Sequence, residues 1–287
     1  MSIFRKTLSI GDIGIAVECE QEFALSPRCT YFEQALERPD VTVHLGQRDV
    51  DLSGFTPVHI GGNFDVYQTE EGFLTVRYAN ERKDFRSWYM RKLGPDSYEV
   101  LFSEQMPKPF ADINPLFYFD LEEFLVEHDG IILHSAVIDM DGQAVAFTAP
   151  SGTGKSTQAD LWKKYKGAEI LNGDRGLIRR QQNGYRVYGS PYAGSSLIYV
   201  NKSAALRAIV VLRQAPFNRV RRLKGKEAYL HLLSQTSISV WNRDVIDRQS
   251  LWLLDLIKTM PIYLLECRPD QEAVEVLYQE LKGSKHE

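Results

Sequence analysis

Residues 148–162 read TAPSGTGKSTQADLW, and this stretch decides the fold. The apolar run QAVAF at 143–147 leads directly into it, and STQADLWKKYKG at 156–167 continues it with the character of a helix. A loop of small residues between a strand and a helix lets backbone N–H groups and the helix N-terminus face an anion. The sequence therefore predicts a phosphate-binding loop, also called a P-loop or Walker A motif, at this point.

Each part of the loop has a chemical task in binding ATP. Gly152 and Gly154 let the backbone turn closely around phosphates, Lys155 reaches the β and γ oxygens, and the Ser156 hydroxyl is a ligand for Mg²⁺. The strict pattern has a further glycine where this chain has Ala149. The predicted nucleotide-binding residues are Ser151, Gly152, Thr153, Gly154, Lys155, Ser156 and Thr157.

Composition narrows the class of protein. The chain has 287 residues, a net charge of −4 and three cysteines without metal-ligand spacing. Nucleic-acid binding needs phosphate neutralisation, which this charge does not favour. There is no apolar run of membrane-spanning length, and the first residues lack the pattern of a secretory signal. We therefore expect a cytoplasmic protein with no disulfide framework, no membrane partner and no nucleic-acid partner.

The pattern of apolar residues divides the chain into two regions. Residues 1–125 contain short β-rich runs separated by polar turns, which predict an antiparallel sheet with an accessory or substrate-binding role. Ser26 and Pro27 are typical of a helix start, so a helix is predicted over 26–37. Residues 126–287 alternate predicted strands and helices, with hairpins at Asp141-Gly142 and Asn183-Gly184. The predicted class is α/β with α+β character, in which a C-terminal core of mixed sheet carries flanking helices.

His134 on a strand, a hairpin into Pro150–Ser156, and a later strand ending in Asp174 together resemble the HPr kinase/phosphorylase family. They also resemble the wider HPr-kinase-related group that shares the phosphoenolpyruvate carboxykinase-type nucleotide fold. The resemblance covers roughly residues 131–200. It implies transfer of the γ-phosphate of ATP to a serine hydroxyl with the help of Mg²⁺. It is also compatible with a homo-oligomer, because the family forms assemblies.

The resemblance also implies roles for individual residues. Lys155, Asp174 and His134 are the expected catalytic residues, and Ser156 with Asp174 the expected metal ligands. The family has a His-Gly pair where this chain has His134-Ser135, and two adjacent aspartates where this chain has Asp174-Arg175. A single Asp174 must therefore cover one or both acidic roles. Arg175 is a candidate for stabilising the transferred charge.

Two further segments are candidates for contacts with the acceptor or with phosphate. The loop at 189–196 has little bulk, so Ser190 and Gly194 lie either on a surface where an acceptor approaches or in a simple β connection. Alternation along RVRRL at 219–223 places Arg219 and Arg221 on one side of a strand. These two arginines either contact phosphate or belong to a solvated charged face.

The sequence therefore favours an ATP- and Mg²⁺-dependent kinase that phosphorylates a hydroxyl, most plausibly on a serine of a peptide or small protein. Some related proteins phosphorylate precursor peptides, so a modified-peptide precursor is one candidate acceptor. Two alternatives stay open. One is a regulatory module that binds ATP without transferring phosphate, and the other is a small-molecule kinase of the same fold.

Overall fold

The computed structural model describes residues 2–192, 194 and 197–283, and the chain divides into two compact units, Met1–Phe124 and Leu125–Glu287. The N-terminal unit is built on eight strands, and a short helix, α1, lies at Pro27–Thr30. The strands are β1 (Phe4–Ile10), β2 (Ile13–Cys19), β3 (Val41–Gln47), β4 (Thr56–Gly61), β5 (Phe64–Thr69), β6 (Gly72–Tyr78), β7 (Arg86–Gly94) and β8 (Ser97–Phe102).

These strands form one sheet in the order β1-β2-β3-β8-β7-β6-β5-β4. The sheet is mixed, because β3 pairs in parallel with both β2 and β8, whereas the expectation was an antiparallel sheet. The helix predicted over 26–37 is wrong in length, since α1 ends after one turn at Thr30. Backbone bonds explain the early end: the chain from Phe32 to Gln34 pairs with β1 instead of continuing the helix.

One face of this sheet carries an aromatic core. Tyr98 and Phe102 of β8 are fully buried and contact aromatic rings from the segment that follows the sheet. That segment contains a 3₁₀ turn at Pro115–Phe117 and α2 at Leu121–Glu127, which spans the boundary between the units. The apolar positions of residues 114–128 are divided between these two short elements.

The C-terminal unit alternates strands and helices as the sequence predicts. Its strands are β9 (Gly130–Met140), β10 (Gln143–Thr148), β11 (Glu169–Asn172), β12 (Arg175–Gln181), β13 (Gly184–Tyr188), β14 (Ser203–Gln214), β15 (Arg219–Leu223) and β16 (Ile262–Cys267). Its helices are α3 (Lys155–Lys166), α4 (Gly225–Leu233), α5 (Arg243–Thr259) and α6 (Gln271–Gly283). Asp141 and Gly142 both have positive φ, which confirms the predicted hairpin turn.

Strand β14 is the centre of this second sheet. It pairs in parallel with β10 and β16, and its first residues pair antiparallel with β13. Strand β9 pairs with β10 on one side and with β11 and β12 on the other. Since β10, β14 and β16 run in the same direction, their carboxyl ends lie at one edge, where ligands bind in open α/β sheets.

Helices cover both faces of the second sheet, so the chain has an α/β fold with flanking helices. One apolar cluster packs α4 and α5 on the sheet, and a second packs α3 and α6 on it. Trp162 anchors α3 because its side chain is fully buried against Phe147 of β10. Among the described residues, no helix is long and apolar enough to cross a membrane.

Candidate functional site

The glycine loop, residues 149–154, connects β10 to α3. Gly152 has φ of 77° and Gly154 has φ of 113°, values in the left-handed region that favours glycine. A Cβ at either position would meet no atom within 4 Å, so it is the backbone conformation that requires glycine here. Gly154 is the N-cap of α3, and the first turn of this helix has no acidic residue. An anion can therefore approach the free N–H groups without repulsion.

Lys155 is held against the start of its own loop. Its side chain is only 7% exposed, and its Nζ donates to the carbonyl oxygens of Ala149 at 2.9 Å and Pro150 at 3.4 Å. Burial lowers the pKa of Lys155, whereas the nearby charge of Asp174 raises it. Ser156 and Thr157 follow on the first turn of α3 and are exposed. The ammonium and these hydroxyls therefore lie at the same end of the helix.

Pairing of three strands brings His134 and Asp174 to this loop. His134 lies opposite Arg175 of β12, and the neighbouring Ser135 lies opposite Thr148, the last residue of β10. Adjacent strands lie about 4.8 Å apart. β11 and β12 both pair with β9, and Gly173 and Asp174 lie in the break between them, where the Ser135 N–H donates to the Asp174 carbonyl at 2.9 Å. The interruption turns the Asp174 side chain out of the regular strand, as irregularities beside functional sites do.

A buried amide fixes the turn that carries Asp174. Asn172 is fully buried, and its Oδ1 accepts from the backbone N–H groups of Asp174 at 2.9 Å and Arg175 at 2.7 Å. Its Nδ2 donates to the carbonyl oxygens of Tyr192 at 2.7 Å and Ser190 at 3.2 Å. One side chain therefore joins the turn at 173–175 to the loop that begins at Gly189. The orientation of the Asp174 carboxylate depends on it.

The Asp174 carboxylate lies between two nitrogen groups. Its Oδ1 is 3.6 Å from His134 Nε2, and its Oδ2 is 3.6 Å from Arg175 Nε. About a third of each of the His134 and Asp174 side chains is exposed, so a ligand can reach both. Desolvation and the charge of Lys155 lower the pKa of His134 below its ordinary value, although Asp174 opposes them. His134 is therefore neutral near pH 7.

The predicted acceptor loop lies against the same carboxylate. Gly194 has φ of 51°, and a Cβ added there would lie 2.7 Å from Cβ and 2.8 Å from Cγ of Asp174. Ser190 is buried, and its Oγ lies within 3.3 Å of Asn172 Nδ2, so its hydroxyl supports the turn and does not face solvent. Tyr192 lies under the Arg175 guanidinium, with its ring centre 5.2 Å away. Residues 193, 195 and 196 of this loop lie outside the described residues.

Arg219 and Arg221 occupy a different part of the sheet. They lie on β15, which β14 and β16 separate from β10, a distance of about 14 Å at ordinary strand spacing. Arg219 donates to Glu266 at 2.5 and 3.0 Å, and Arg221 donates to Glu227 at 2.5 and 3.0 Å. The structure therefore does not bring these two arginines into the group formed by Lys155, His134 and Asp174. Their predicted phosphate contacts stay a prediction.

Two cavities flank the glycine loop at the carboxyl edge of the parallel strands. One, of about 490 Å³, lies between the loop, the end of β14 and the end of α4, where His231 and Gln235 line it. The other, of about 450 Å³, is lined by Thr157, Gln214 and Arg268. Both volumes fall in the range of small-molecule sites, about 300–1,000 Å³. The Gln214 amide also donates to the Thr153 carbonyl at 3.3 Å, which ties β14 to the loop.

The donor set fits Mg²⁺ bound together with phosphate better than a dedicated metal cage. No group of three or more His, Cys, Asp or Glu side chains that could hold a metal occurs in the described part of the chain. Mg²⁺ in nucleotide sites uses one or two protein oxygens and takes the rest from phosphate and water. The exposed Ser156 hydroxyl and the half-buried Asp174 carboxylate supply protein oxygens of this kind.

Three residues beside the site were not expected from the sequence. Asn172 gave a signal only as part of a turn-like Asn-Gly-Asp run, and its burial was not visible. The Gln235 carbonyl accepts from the His134 N–H at 2.8 Å, although a hundred residues separate them. Arg213 lines the larger cavity and lies 3.5 Å from Glu266. Such long-range pairings leave no local pattern in a sequence.

Comparison with known proteins identifies the family. Residues 121–270 match the family described as SynChlorMet cassette protein ScmC, and because this match covers more than half of the chain, the protein belongs to that family. No curated protein matches. Among solved structures, the Hpr(Ser) kinase/phosphatase from Coxiella burnetii is similar over 54% of this chain and 99% of its own, at 12% identity and a TM-score of 0.33.

Proposed function

We propose that the C-terminal unit is an ATP- and Mg²⁺-dependent kinase that transfers the γ-phosphate to a hydroxyl, on a serine of a peptide or small protein. One observation carries this proposal. Three separate segments converge: β10 leads into the glycine loop and Lys155, and the pairing of β9 with β10 and β12 brings His134 and Asp174, 3.6 Å apart, to the same edge. A structural charge cluster would not need a glycine loop and a helix N-terminus at the same place.

Phosphate binding is assigned to residues 151–157. Backbone N–H groups of the loop and of the first turn of α3 donate to phosphate oxygens, and the Lys155 ammonium exchanges the Ala149 and Pro150 carbonyls for the β and γ oxygens. Mg²⁺, held by Ser156 and Asp174, would neutralise charge on the β- and γ-phosphates. Placing these groups in advance is the main way in which a protein accelerates phosphoryl transfer.

Asp174 is assigned to the acceptor. Its carboxylate accepts the proton of the attacking hydroxyl while the bond from that oxygen to the γ-phosphorus forms and the bond to the β–γ bridging oxygen breaks, which releases ADP. Neutral His134 leaves Oδ1 of this carboxylate able to take the proton, because a protonated His134 at 3.6 Å would hold that oxygen in an ion pair. Arg175, stacked on Tyr192 and paired with Asp174, is assigned to negative charge that develops on the transferred group.

The most specific part of the proposal is the class of the acceptor. Glycine at position 194 lets the acceptor-side loop lie directly against the Asp174 side chain, where a Cβ would clash with it. The family name describes its members as proteins of a cassette, which supports an acceptor that other products of the cassette make or use. A precursor peptide is the acceptor that we favour. A homo-oligomer and a cytoplasmic location are also parts of this proposal.

Transfer of labelled phosphate tests the proposal. The full chain is incubated with Mg²⁺ and γ-labelled ATP in a peptide and protein extract of the source organism, beside Lys155→Ala and Asp174→Asn. Lys163→Ala and Asp160→Asn are matched controls, because both residues are exposed on α3 away from its first turn. We expect a labelled species with wild type and both controls and none with the two site variants. Equal labelling by Lys155→Ala would refute the kinase.

A regulatory module that binds ATP without transfer is the second candidate. The ion pair of Arg175 with Asp174 favours it, since the guanidinium stands where the resembling kinases have a second carboxylate. This candidate predicts that Mg²⁺-ATP raises the melting temperature of the protein while no acceptor becomes labelled in the extract. A small-molecule kinase predicts consumption of ATP only after a low-molecular-weight fraction is added.

A further inference from the structure

The N-terminal unit contains a cavity that the proposed phosphoryl transfer does not use. It measures about 720 Å³ and lies on the sheet face opposite the aromatic core, beneath the segment 48–55 that follows β3. Residues of β6, β7 and β8 form its floor, and the turn between β5 and β6 forms one wall. Its volume falls within the range of sites that bind small molecules or peptide side chains.

The floor of this cavity is apolar. Leu74, Tyr89 and Leu101 are each at least nine-tenths buried, and they form one hydrophobic cluster. Phe55 and Val50 of the covering segment pack against that cluster and also line the cavity. A ligand that enters must therefore present an apolar surface, since an unpaired polar group would lose its hydration here.

The rim of the cavity is acidic. Five carboxylates line the cavity together with three basic side chains. The basic groups are committed to carboxylates: Arg91 bonds Glu99 at 2.8 Å, Arg48 lies 3.5 Å from Glu99, and Lys92 bonds Glu123 at 2.8 Å. Two hydrogen bonds from Ser53 lower the pKa of Asp51, which keeps that carboxylate ionised. Glu70 lies exposed on the wall.

An apolar floor beneath an acidic rim complements a group with an apolar stem and a cationic end. Lysine and arginine have this form, because their methylene stems cover apolar surface while the charge stays at the edge. The half-buried Phe55 ring adds a face on which a cation can lie. An anionic ligand such as a phosphate or an acidic peptide would meet the excess of carboxylates and be repelled.

We infer that this cavity binds a basic peptide segment in which lysine or arginine residues alternate with large aliphatic residues. That the bound peptide is the acceptor rests on the proposed kinase function. That the cavity binds a peptide of this kind rests on the cavity alone. Recognition at a site separate from the phosphorylated serine would let the kinase select its peptide without reading the sequence around that serine.

Peptide binding to the full chain tests this inference in the absence of nucleotide. The probe is fluorescein-labelled Gly-Ser-Leu-Arg-Leu-Lys-Ser-Gly, followed by fluorescence anisotropy at physiological salt. Two matched probes separate the contributions: one replaces Arg and Lys by Glu, and the other replaces both Leu by Ser. Glu70→Lys inverts one charge of the rim, and Glu81→Lys inverts an equally exposed charge that does not line the cavity.

We expect saturable binding of the basic apolar probe and none of the acidic probe. The dissociation constant should rise about fivefold in Glu70→Lys and stay within about twofold in Glu81→Lys, because the first change adds repulsion at the site. The probe without leucine should bind more weakly than the parent. Absence of binding to wild type, equal binding of the acidic probe, or no change in Glu70→Lys would overturn the inference. Because no ATP is present, failure here is separate from failure of the kinase proposal.

Discussion

In the C-terminal sheet, the cationic side chain that follows the end of β10 and those on the edge strand β15 have different partners. At the β10 end, Lys155 donates only to backbone carbonyls of its own loop. At the β15 end, Arg219 and Arg221 are each bonded twice to a carboxylate, Glu266 and Glu227. A cation already neutralised by a carboxylate has less to gain from a phosphate, whereas one bonded to carbonyls gains a full charge partner. The group to which a cationic side chain is hydrogen-bonded, carbonyl or carboxylate, therefore distinguishes a candidate ligand-binding cation from a structural one.

Asp174→Asn is the substitution with the largest expected effect on this contrast. The amide keeps the size and one acceptor oxygen of the side chain but has no charge and cannot take the proton. We expect the rate of transfer to fall about 10³-fold, as removal of a general base does. Initial rates with labelled ATP measure it. Asp160→Asn on α3 should transfer at the wild-type rate, and a loss of less than threefold in Asp174→Asn would contradict the role of this carboxylate.

Asn172→Ala should show that the β10 end depends on a preorganised turn. Removing the amide leaves two backbone N–H groups and two carbonyls without their partner, at a cost of about 3 kcal/mol in the free energy of unfolding. Transfer should fall about 30-fold, because Asp174 loses its orientation.

Urea unfolding of Asn172→Ala and Asn172→Asp separates the contribution of the amide oxygen to stability from that of the amide nitrogen. The aspartate keeps the acceptor for Asp174 and Arg175 but loses the donor to Ser190 and Tyr192. Unfolding of the alanine variant at the wild-type urea concentration would contradict the assigned role.

The pH dependence of transfer should depend on His134. Its pKa is lowered from the ordinary value near 6.5, chiefly by desolvation, so the imidazole is neutral at pH 7 and gains a proton only below pH 6.5. Protonation places a positive charge beside Asp174, and we expect transfer to fall about tenfold between pH 7 and pH 5. In His134→Gln this acidic limb should move to lower pH. An unchanged limb in kcat/KM would show that another group controls it.

Arg221→Gln should have the smallest effect. The arginine is exposed and paired with Glu227, and exposed ion pairs contribute little to stability. We expect transfer within about twofold of wild type and a melting temperature lowered by about 3 °C at most. A large loss of transfer would instead support the predicted contact between this arginine and phosphate. Thermal unfolding beside the kinetic assay distinguishes this result from a loss of folded protein.

Local patterns in the sequence were enough to predict most of the strands and helices of the C-terminal unit. The Asp141-Gly142 hairpin, the glycine loop and α3 up to Gly167 are each specified by neighbouring residues, through positive φ or helix periodicity. In the N-terminal unit, the short β-rich runs of residues 1–125 predicted strands, and eight strands form there. The parallel pairing of β3 could not be read, because strand alternation does not encode the direction of a partner.

The candidate site likewise has a part that could be predicted from local sequence and a part that could not. Lys155, His134 and Asp174 were chosen from motifs, and the structure places them together, but the reason Asp174 is oriented lies in Asn172 and in the loop from Gly189. The charge partners of Arg219 and Arg221 lie on other elements, β16 and α4. Contacts of this kind depend on tertiary pairing, which one sequence does not specify.

Binding of Mg²⁺-ATP tests the central claim most directly, because it compares Lys155 beside β10 with Arg221 on β15 by the same measurement. Dissociation constants are measured for wild type, Lys155→Ala and Arg221→Ala, with thermal unfolding to show that each variant is folded. We predict that Lys155→Ala weakens binding about 100-fold, the scale of a lost charge-assisted contact, and that Arg221→Ala stays within about twofold of wild type. Equal affinity of Lys155→Ala and wild type, or a larger loss in Arg221→Ala, would contradict the account.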